Sequence, residues 1–399
     1  MIKIKEKQNC CGCTACVAIC PKECISMRKD AEGFLYPDVN RNSCIDCGAC
    51  ERVCPILHLK AEQEFKQEAY IVQNKDQKVL RESTSGGAFT TIAKYILKHD
   101  GVVFGVELSN SLVAHHVYVE NEEELTRFRN SKYVQSNVGG TFRQVKSFLN
   151  QGRNVCFSGT PCQIEGLKSY LRHEYDNLVT VDVVCRAVPS PMIFQKYLEY
   201  QEKVNEDCIK FVRFRDKHYG YKYSTMNVIT DKNRGNYHQG VESDPWLRAF
   251  FSNICDRPSC HHCQFRKQYR VSDFTIWDCF NVGHFSKMLD NDKGATRVLV
   301  HTEKGRKIFK EIAREFYYIQ ANPMNIVAGA KEMRESVLPN PHREEFFADA
   351  NKMDGIQLFQ KYFPNTIKVK AEHWFRLTFN RLGIYDKVKK MYMRLKHKY

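Results

Sequence analysis

The sequence lacks a long apolar run: no stretch of its 399 residues approaches the roughly 18 consecutive apolar side chains that a membrane span requires. Its first residues, MIKIKEKQNC, are too polar for an export signal. No nucleic-acid-binding motif accompanies the net charge of +15, and no catalytic triad or carboxylate pair stands out. The hydrophobic content of 43% excludes a disordered chain. We therefore expect a globular cytoplasmic protein that binds no nucleic acid.

Cysteine, in contrast, is abundant, and its spacing is regular. The motif C-x2-C-x2-C-x3-C-P occurs twice, at Cys10, Cys13, Cys16 and Cys20 and again at Cys44, Cys47, Cys50 and Cys54. In bacterial ferredoxins this spacing holds two 4Fe-4S cubes, and the fourth cysteine of each run ligates the other cube. We predict a first cube on Cys10, Cys13, Cys16 and Cys54, and a second cube on Cys44, Cys47, Cys50 and Cys20.

The alternatives to this assignment are weak. A disulfide framework is typical of small secreted domains, and zinc normally takes two separated CxxC pairs. Cys11 and Cys24 fall outside the repeated motif, and we interpret them as small apolar core residues.

The rest of the chain alternates predicted strands and helices. Residues 60–68 (KAEQEFKQE) are charged and predict a linker or a helical connector. We predict a fold of the α+β or mixed α/β class: a dicluster ferredoxin domain at 1–59, the two parts of one mixed-sheet domain at 69–150 and 151–350, and a basic helical tail at 351–399.

A second cysteine group follows in the mixed-sheet domain. Cys162 lies at a strand-to-helix turn, Cys185 at the end of a strand, and Cys260 and Cys263 form a CxxC. Strand ends in an α/β fold converge on one crevice, so these four thiols could share a third 4Fe-4S cluster. Structural zinc and unligated core cysteines remain open alternatives.

The loop Ser83 to Gly87 (STSGG) precedes an apolar helical run. Two glycines at a helix start allow backbone N–H groups to face a phosphate, and the helix dipole favours negative charge there. A capped helix behind a glycine loop is the structural alternative.

The last 35 residues are strongly basic, with ten Lys or Arg against Glu372 and Asp386. Apolar side chains interleave with these charges at helical spacing: Trp374, Phe375, Phe379, Leu382, Val388, Met391 and Leu395. Such a helix could lie on an anionic membrane surface, on a partner, or on the protein's own core.

Seven motifs in order carry a resemblance to a known family. They are Arg81–Ala88, Ser131–Ser136, Ser158–Ile164, Val188–Pro191, Arg257–Cys263, Ser272–Ile276 and 293–305. Together with the dicluster run, they resemble the coenzyme F-420 hydrogenase/dehydrogenase beta-subunit family over roughly residues 8–350.

This resemblance implies an FAD, held without a Rossmann domain, to which the iron–sulfur clusters pass electrons. It also favours the third cluster. Members of the family act on a deazaflavin, reduce chlorophyll precursors, or lie in polysaccharide gene neighbourhoods. Lys132 would hold a flavin phosphate or stabilise the reduced ring; its alternative is a solvated surface lysine. By this likeness, the candidate flavin ligands are Ser83, Ser85, Gly86, Gly87, Ser131, Lys132, Tyr133, Gln135 and Ser136.

Three departures from the family pattern argue against the deazaflavin as substrate. Arg186-Ala187 replaces the usual His-Gly, Trp277 replaces a glycine, and Cys279 replaces an aromatic residue. We therefore expect an oxidoreductase that passes electrons from a ferredoxin-like donor through the clusters and FAD to a small substrate. The rival function is a non-catalytic electron-transfer subunit beside a partner enzyme. No catalytic residue is assigned, and the oligomeric state, homo-oligomer included, is open.

Overall fold

The dicluster segment forms two short helices and a hairpin. The computed structural model describes residues 1–232, 237–385, 387, 388 and 391. Helices α1 (Ala15–Ile19) and α2 (Ala49–Arg52) each follow a residue in the left-handed region, Thr14 at φ +66° and Gly48 at φ +68°. Strands β1 (Ile25–Lys29) and β2 (Leu35–Val39) pair in antiparallel fashion. This arrangement confirms the predicted ferredoxin-type start of the chain.

The second part is built on an eight-stranded mixed sheet and a smaller one. The strand bounds are β3 Glu68–Asn74, β4 Val102–Leu108, β5 Ala114–Val119, β6 Val155–Gly159, β7 Leu178–Val183, β8 Ile209–Asp216, β9 Thr225–Thr230, β10 Tyr237–Gln239, β11 Phe274–Asp278, β12 Thr296–Val300 and β13 Phe316–Ala321. The large sheet has the order β13-β3-β12-β11-β7-β6-β4-β5, and β4, β6, β7 and β11 run parallel at its centre. Strands β8, β9 and β10 form a separate antiparallel sheet.

Helices cover this sheet and begin where sequence signals place them. They are α3 Gln77–Glu82, α4 Ala88–Lys98, α5 Thr141–Asn150, α6 Pro161–Leu171, α7 Pro191–Asn205, α8 Pro245–Phe251, α9 Glu303–Ile312, α10 Pro323–Val327, α11 Lys331–Arg334, α12 Arg343–Ala350, α13 Gly355–Tyr362 and α14 Ile367–Arg381. Thr160 and Gln163 form a reciprocal capping box at the start of α6, and prolines occupy the first turns of α6, α7 and α8.

The dicluster segment packs directly on the sheet domain. Ala15, Ala18 and Val53 share a buried cluster with Phe142 and Phe157. The hairpin side is fixed by a forked ion pair, in which Arg343 donates to both carboxylate oxygens of Glu32 at 3.0 and 2.6 Å. A bidentate pair of this kind fixes orientation as well as distance. The two parts of the chain therefore form one packed unit.

The connector between these parts is not helical. Residues 60–67 form neither helix nor strand, and Glu62 accepts hydrogen bonds from the backbone N–H groups of Gln268 and Tyr269 at 2.7 and 2.8 Å. The structure therefore has the predicted linker and not the helical connector.

The basic tail is shorter than predicted. Leu358, Phe359 and Phe363 belong to the core around Trp246, so α13 is part of the folded domain and only α14 onwards extends beyond it. The prediction of a tail that begins at residue 351 relied on its basic charge, but most of its Lys and Arg residues come after residue 365. None of the described helices has the length and hydropathy to cross a membrane.

The buried carboxylate of Asp273 offers a test of this fold. It accepts hydrogen bonds from the Thr180 N–H and hydroxyl at 2.8 and 2.9 Å and from the Thr302 hydroxyl at 2.6 Å. Asp273→Ala leaves these donors unpaired in the core, so we expect a loss of about 3 kcal/mol of unfolding free energy. Thermal unfolding should show a clear drop in Tm, whereas the control Asp38→Ala, on the surface, should change stability by at most about 0.5 kcal/mol. Equal midpoints for the two variants would contradict the expectation.

Candidate functional site

The structure brings each predicted set of four dicluster cysteines together. The first dicluster pocket is lined by Cys10, Cys13, Cys16 and Cys54, and the second dicluster pocket by Cys20, Cys44, Cys47 and Cys50. The crossed assignment, in which the fourth cysteine of each run joins the other set, therefore agrees with the geometry. Cys24 also lines the second dicluster pocket, with its Sγ 3.4 Å from that of Cys20, so it lies beside the ligands and is not a distant core residue.

Burial controls the protonation of these cysteines. Burial raises the pKa of Cys10, although the nearby Arg257 guanidinium opposes the effect, and it raises the pKa of Cys16 to about 12. Both are therefore neutral thiols at pH 7 unless a metal cluster takes the place of the proton. Cluster binding at this site must release protons.

The second cysteine group also converges. Cys162, Cys185, Cys260 and Cys263 line one cavity. Cys162 lies in the first turn of α6 directly after β6, and Cys185 lies just beyond the end of β7. Because β6 and β7 are parallel, their carboxyl ends meet at the same edge of the sheet. The remaining two cysteines come from a short 3-10 helix, Pro258–His262, and the residue after it.

A fifth cysteine joins this group. Cys11 is buried in a hydrophobic cluster, as predicted, and it also lines the cavity, where its thiol acts on that of Cys162 and raises its pKa. The backbone at Cys10 is extended, with φ −142° and ψ 116°, and successive side chains of an extended chain point to opposite sides. The adjacent pair Cys10-Cys11 was therefore a usable signal. Cys11 also lines the first dicluster pocket, so the two cavities are neighbours.

Positive charge surrounds the cavity of the second cysteine group. Arg186, Arg257, Arg266 and Arg270 all line it. The Nε atoms of Arg186 and Arg266 are buried and have no hydrogen-bond partner among the described residues. Buried donors without partners are costly, and they fit an acceptor-rich anionic group such as a cluster carried by four thiolates.

The zinc alternative requires side chains that converge on a single ion. Across the part of the chain that the structure describes, no three His, Cys, Asp or Glu side chains are placed to hold a single metal ion. A structural zinc site needs four ligands within about 2.3 Å of one ion, whereas a cubane spreads its thiolates around a larger core.

The candidate flavin residues are only partly brought together. The Thr84 hydroxyl accepts from the Ser131 N–H at 2.7 Å, so the Ser83–Gly87 loop and the Ser131 stretch are in contact. Within the loop, however, the Gly86 N–H already donates to the Thr296 hydroxyl at 2.7 Å. A Cβ on Gly86 would lie 2.3 Å from the Val72 carbonyl oxygen. Gly86 is therefore explained by packing against β3 and not by an anion cradle.

The middle of the Ser131–Ser136 stretch has other partners. The Lys132 ammonium donates to the carbonyl oxygens of Arg127 and Arg129, both at 3.0 Å, and burial lowers its pKa to about 7. It is neither a free phosphate ligand nor a solvated surface lysine. The Ser136 hydroxyl accepts from the Gln163 amide at 3.1 Å, on the side of the second cysteine group.

Gln135 belongs to the cysteine site. Its amide nitrogen donates to the Cys11 carbonyl at 3.3 Å, and its amide oxygen accepts from Arg257 at 3.0 Å. Gln135 was predicted as a flavin ligand because it belongs to the Ser131–Ser136 motif, whose other residues were assigned to the flavin as well.

Tyr133 leads to a polar cluster that sequence reasoning missed. Arg215 donates to the Tyr133 hydroxyl and to Asp278, both at 3.1 Å, and the Tyr221 hydroxyl donates to Asp278 at 2.9 Å. The Nη2 atom of Arg215 and the Nε1 atom of Trp277 are buried without a partner among the described residues. Asp278 ends β11 at the same carboxyl edge as Cys185. The only sequence signal was the aspartate two residues after the Ser272–Ile276 motif.

Comparison with known families assigns both parts of the chain. Residues 9–56 match the 4Fe-4S dicluster domain. Residues 152–325 match the family of coenzyme F420 hydrogenase/dehydrogenase, at the C terminus of its beta subunit. Residues 152–325 are thus similar to this family. The predicted resemblance and the predicted dicluster domain are confirmed, and the dicluster match supports an iron–sulfur protein.

Two individual proteins are similar to this chain. The F420-dependent formate dehydrogenase subunit beta of Methanocaldococcus jannaschii is 23% identical over 313 residues, which cover 75% of this chain and 73% of the relative. A solved chain in the F420-reducing NiFe hydrogenase complex of Methanosarcina barkeri aligns at 15% identity and a TM-score of 0.43, covering 74% of this chain and 90% of that chain.

The contact of α6 with the first dicluster pocket is testable. Gly166 leaves no room for a side chain, since a Cβ there would lie 2.7 Å from the Cys13 Cβ and 2.9 Å from its Sγ. Gly166→Ala must displace Cys13, so we expect the loss of the first cube, about four irons per chain. Iron assay of anaerobic protein measures this. The control Gly140→Ala, whose Cβ would meet no atom within 4 Å, should keep its full iron content; full iron in both variants would refute the expectation.

Proposed function

We propose that this protein is an iron–sulfur flavoprotein oxidoreductase. It takes single electrons from a ferredoxin-like donor or a partner enzyme, passes them through the clusters to FAD, and delivers them to a small substrate. The observation that carries the proposal is the succession of three cysteine-lined cavities. The second dicluster pocket holds exposed Cys47, and the first dicluster pocket and the cavity of the second cysteine group share Cys11 and Ile56. Adjacent cofactor cavities suit electron transfer through the protein.

The cluster ligands follow from these cavities. We assign Cys10, Cys13, Cys16 and Cys54 to one cube, and Cys20, Cys44, Cys47 and Cys50 to the other. Cys162, Cys185, Cys260 and Cys263 would ligate a third cluster, whose negative charge would be balanced chiefly by Arg257 and Arg266, which form no ion pair with a described carboxylate. The partnerless Nε atoms of Arg186 and Arg266 support this third assignment.

The flavin would lie on the side of Ser131 and Tyr133. Arg215, with its buried Nη2 that lacks a partner among the described residues, is a donor for a flavin ring or phosphate oxygen. FAD supplies the conversion between one-electron and two-electron chemistry, and the protein supplies orientation and charge. Arg186 and Trp277 distinguish this pocket from the family pattern, so we propose a substrate other than the deazaflavin, with a polysaccharide-pathway intermediate as one class to assay.

Iron and flavin contents test the proposal directly. Anaerobic protein should contain about twelve irons per chain, and the double variant Cys260→Ser/Cys263→Ser about eight, because the third cluster loses half its ligands. The matched control Cys156→Ser/Cys208→Ser, outside all three cavities, should keep the full iron content. The flavin absorbance should bleach with dithionite.

Three outcomes would contradict parts of the proposal. About eight irons in the unmodified protein would remove the third cluster, and full iron without bound flavin would remove the flavin mechanism. Zinc in place of iron would overturn the whole assignment.

The second candidate is a non-catalytic electron-transfer subunit. The named function of the Methanocaldococcus relative favours it, because that protein is the beta subunit of a formate dehydrogenase. Turnover by the isolated chain, with an artificial donor and with the deazaflavin among the acceptors, separates the two functions. Reduction of an acceptor by the isolated chain supports the enzyme, whereas turnover only with added partner protein supports the electron-transfer role.

We further propose that α14 contacts an anionic membrane surface. Its outer face exposes Ile367, Trp374, Phe375 and Leu382 at 87, 61, 51 and 64% of their surface. These positions are spaced i, i+7, i+8 and i+15, so they share one side of the helix. Exposed aromatic and aliphatic side chains among lysines and arginines are typical of interfacial helices.

The opposite face of α14 is anchored to the protein. His373 contacts the buried Glu242 carboxylate at 2.8 Å, and Arg376 approaches the same residue at 3.5 Å. Lys368, Lys370 and Arg381 flank the apolar stripe and are exposed. The helix is therefore held with its apolar stripe outward. Of the predicted tail residues, Leu395 lies outside the described part of the chain.

Vesicle sedimentation tests this contact. The full chain should sediment with vesicles that contain phosphatidylserine, and Trp374→Ala/Phe375→Ala should sediment at least several-fold less, since two aromatic side chains that would enter the membrane surface are lost. The control Tyr317→Ala/Tyr318→Ala removes two exposed aromatic residues from β13 and should bind like the unmodified chain. Equal binding of all three proteins, or none by any, would contradict the proposal.

A further inference from the structure

Arg257 is a fully buried arginine between the dicluster segment and the cavity of the second cysteine group. Its side chain is 0% exposed. The Nε atom donates to the Cys10 carbonyl at 2.9 Å, and Nη2 donates to the Leu35 carbonyl at 3.0 Å and to the Cys10 Sγ at 3.7 Å. Its guanidinium carbon lies 4.3 Å from the ring centre of Tyr36. The cation is thus held in place beside one ligand of the first cube.

The same residue reaches the neighbouring cavity. Arg257 lines the cavity that Cys162, Cys185, Cys260 and Cys263 share, and its backbone carbonyl accepts from the Cys260 N–H at 2.9 Å. One side chain therefore lines the cavity of the second cysteine group and also contacts Cys10, which lines the first dicluster pocket.

No carboxylate of the described residues forms an ion pair with this buried charge. Among the described residues, Arg257 forms no ion pair with Asp or Glu, and the groups that act on its charge are Cys10, Tyr36, Cys11 and Cys260. Burying an unpaired cation costs several kcal/mol. Neutral thiols do not offset that cost, whereas thiolates that carry an iron–sulfur cluster do. The arrangement makes sense when the cysteine sites are anionic.

We propose that Arg257 is the built-in counter-charge of the Cys10 cube and raises its reduction potential above that of the second cube. This inference rests on the proposed function, because it requires the dicluster to be bound. Reduction adds one electron to the cube and no proton at Arg257, so the site gains one negative charge. A fixed cation at hydrogen-bond distance from a ligand sulfur favours that more negative state.

The two cubes should therefore differ in reduction potential. The lining of the second dicluster pocket includes the terminal Met1 and the exposed Lys22, and their charges are screened by water. Arg257, in contrast, is shielded from solvent. An electron that enters at the exposed Cys47 side would therefore move towards the Cys10 cube and the cavity beyond it.

The test is a potentiometric titration of anaerobic full-length protein, followed by paramagnetic resonance. In Arg257→Gln, which keeps hydrogen-bonding capacity but loses the charge, we expect one of the two dicluster midpoints to shift to a more negative value while the other stays. Arg257→Lys keeps the charge and should restore most of the midpoint. That rescue separates charge from hydrogen bonding.

Two further variants keep the test decisive. Gln135→Glu puts a carboxylate where the Gln135 amide oxygen lies, 3.0 Å from Arg257 Nη1, and should shift the same midpoint in the same direction without removing the arginine. Arg343→Gln is the matched control. It removes a half-buried arginine that joins the same two parts of the chain through Glu32 and donates to no cysteine, so both midpoints should stay.

Each outcome has one meaning. A selective shift in Arg257→Gln and Gln135→Glu, with none in Arg343→Gln, supports the inference. Unchanged midpoints, or equal shifts in Arg257→Gln and Arg343→Gln, overturn it while leaving the dicluster in place. If Arg257→Gln does not fold, Gln135→Glu decides alone. Unmodified protein without cubane signals would instead refute the proposed function itself.

Discussion

The contact between the dicluster segment and the carboxyl edge of the parallel strands is the constraint on which the rest of the structure depends. Helix α6 starts at this edge, and its Gly166 touches Cys13 because no side chain intervenes. Cys11 meets Cys162 at the start of the same helix. Any shift of the dicluster segment relative to the sheet would open both contacts at once. The capping box of α6 and the fork of Arg343 on Glu32 therefore matter for the spacing of the cysteine cavities as well as for stability.

Charge balance at this contact concerns four arginines that line one cavity. A buried guanidinium without a counter-ion is destabilising, and Arg257 and Arg270 are buried here while Arg186 and Arg266 are half-buried. Asp182 pairs with Arg270 at 3.0 Å and Glu332 pairs with Arg186 at 3.4 Å, whereas Arg257 and Arg266 form no ion pair with a described carboxylate. The Nε atoms of Arg186 and Arg266 are buried donors without partners among the described residues. Folding and cluster binding should consequently be linked, because the anionic cluster stabilises the state that buries these cations.

Local patterns in the sequence were sufficient to predict helices and strands and the sets of candidate cluster ligands. The repeated cysteine spacing predicted both dicluster pockets. Cys162 and Cys185 were found because strand ends share an edge. The predictions that failed concern residues whose contacts are distant in sequence. Gln135 was grouped with its motif neighbours, whereas its amide reaches Cys11 and Arg257; the basic composition of the tail obscured the apolar residues that fix α13 in the core. No period or spacing encodes such partners.

The departures from the family pattern are not scattered over the fold. Arg186 follows β7, Trp277 lies near the end of β11, and Cys279 comes directly after that strand, so all three are at the carboxyl edge. Arg186 is held there by the Asn253 side chain at 2.9 Å and stacks on Phe251. The cysteine spacing, in contrast, follows the ferredoxin pattern without deviation. Under the proposed function, a change of acceptor requires a different crevice and leaves the cluster ligands as they are. The placement of these three residues fits that proposal, because they lie at the crevice and not among the dicluster cysteines.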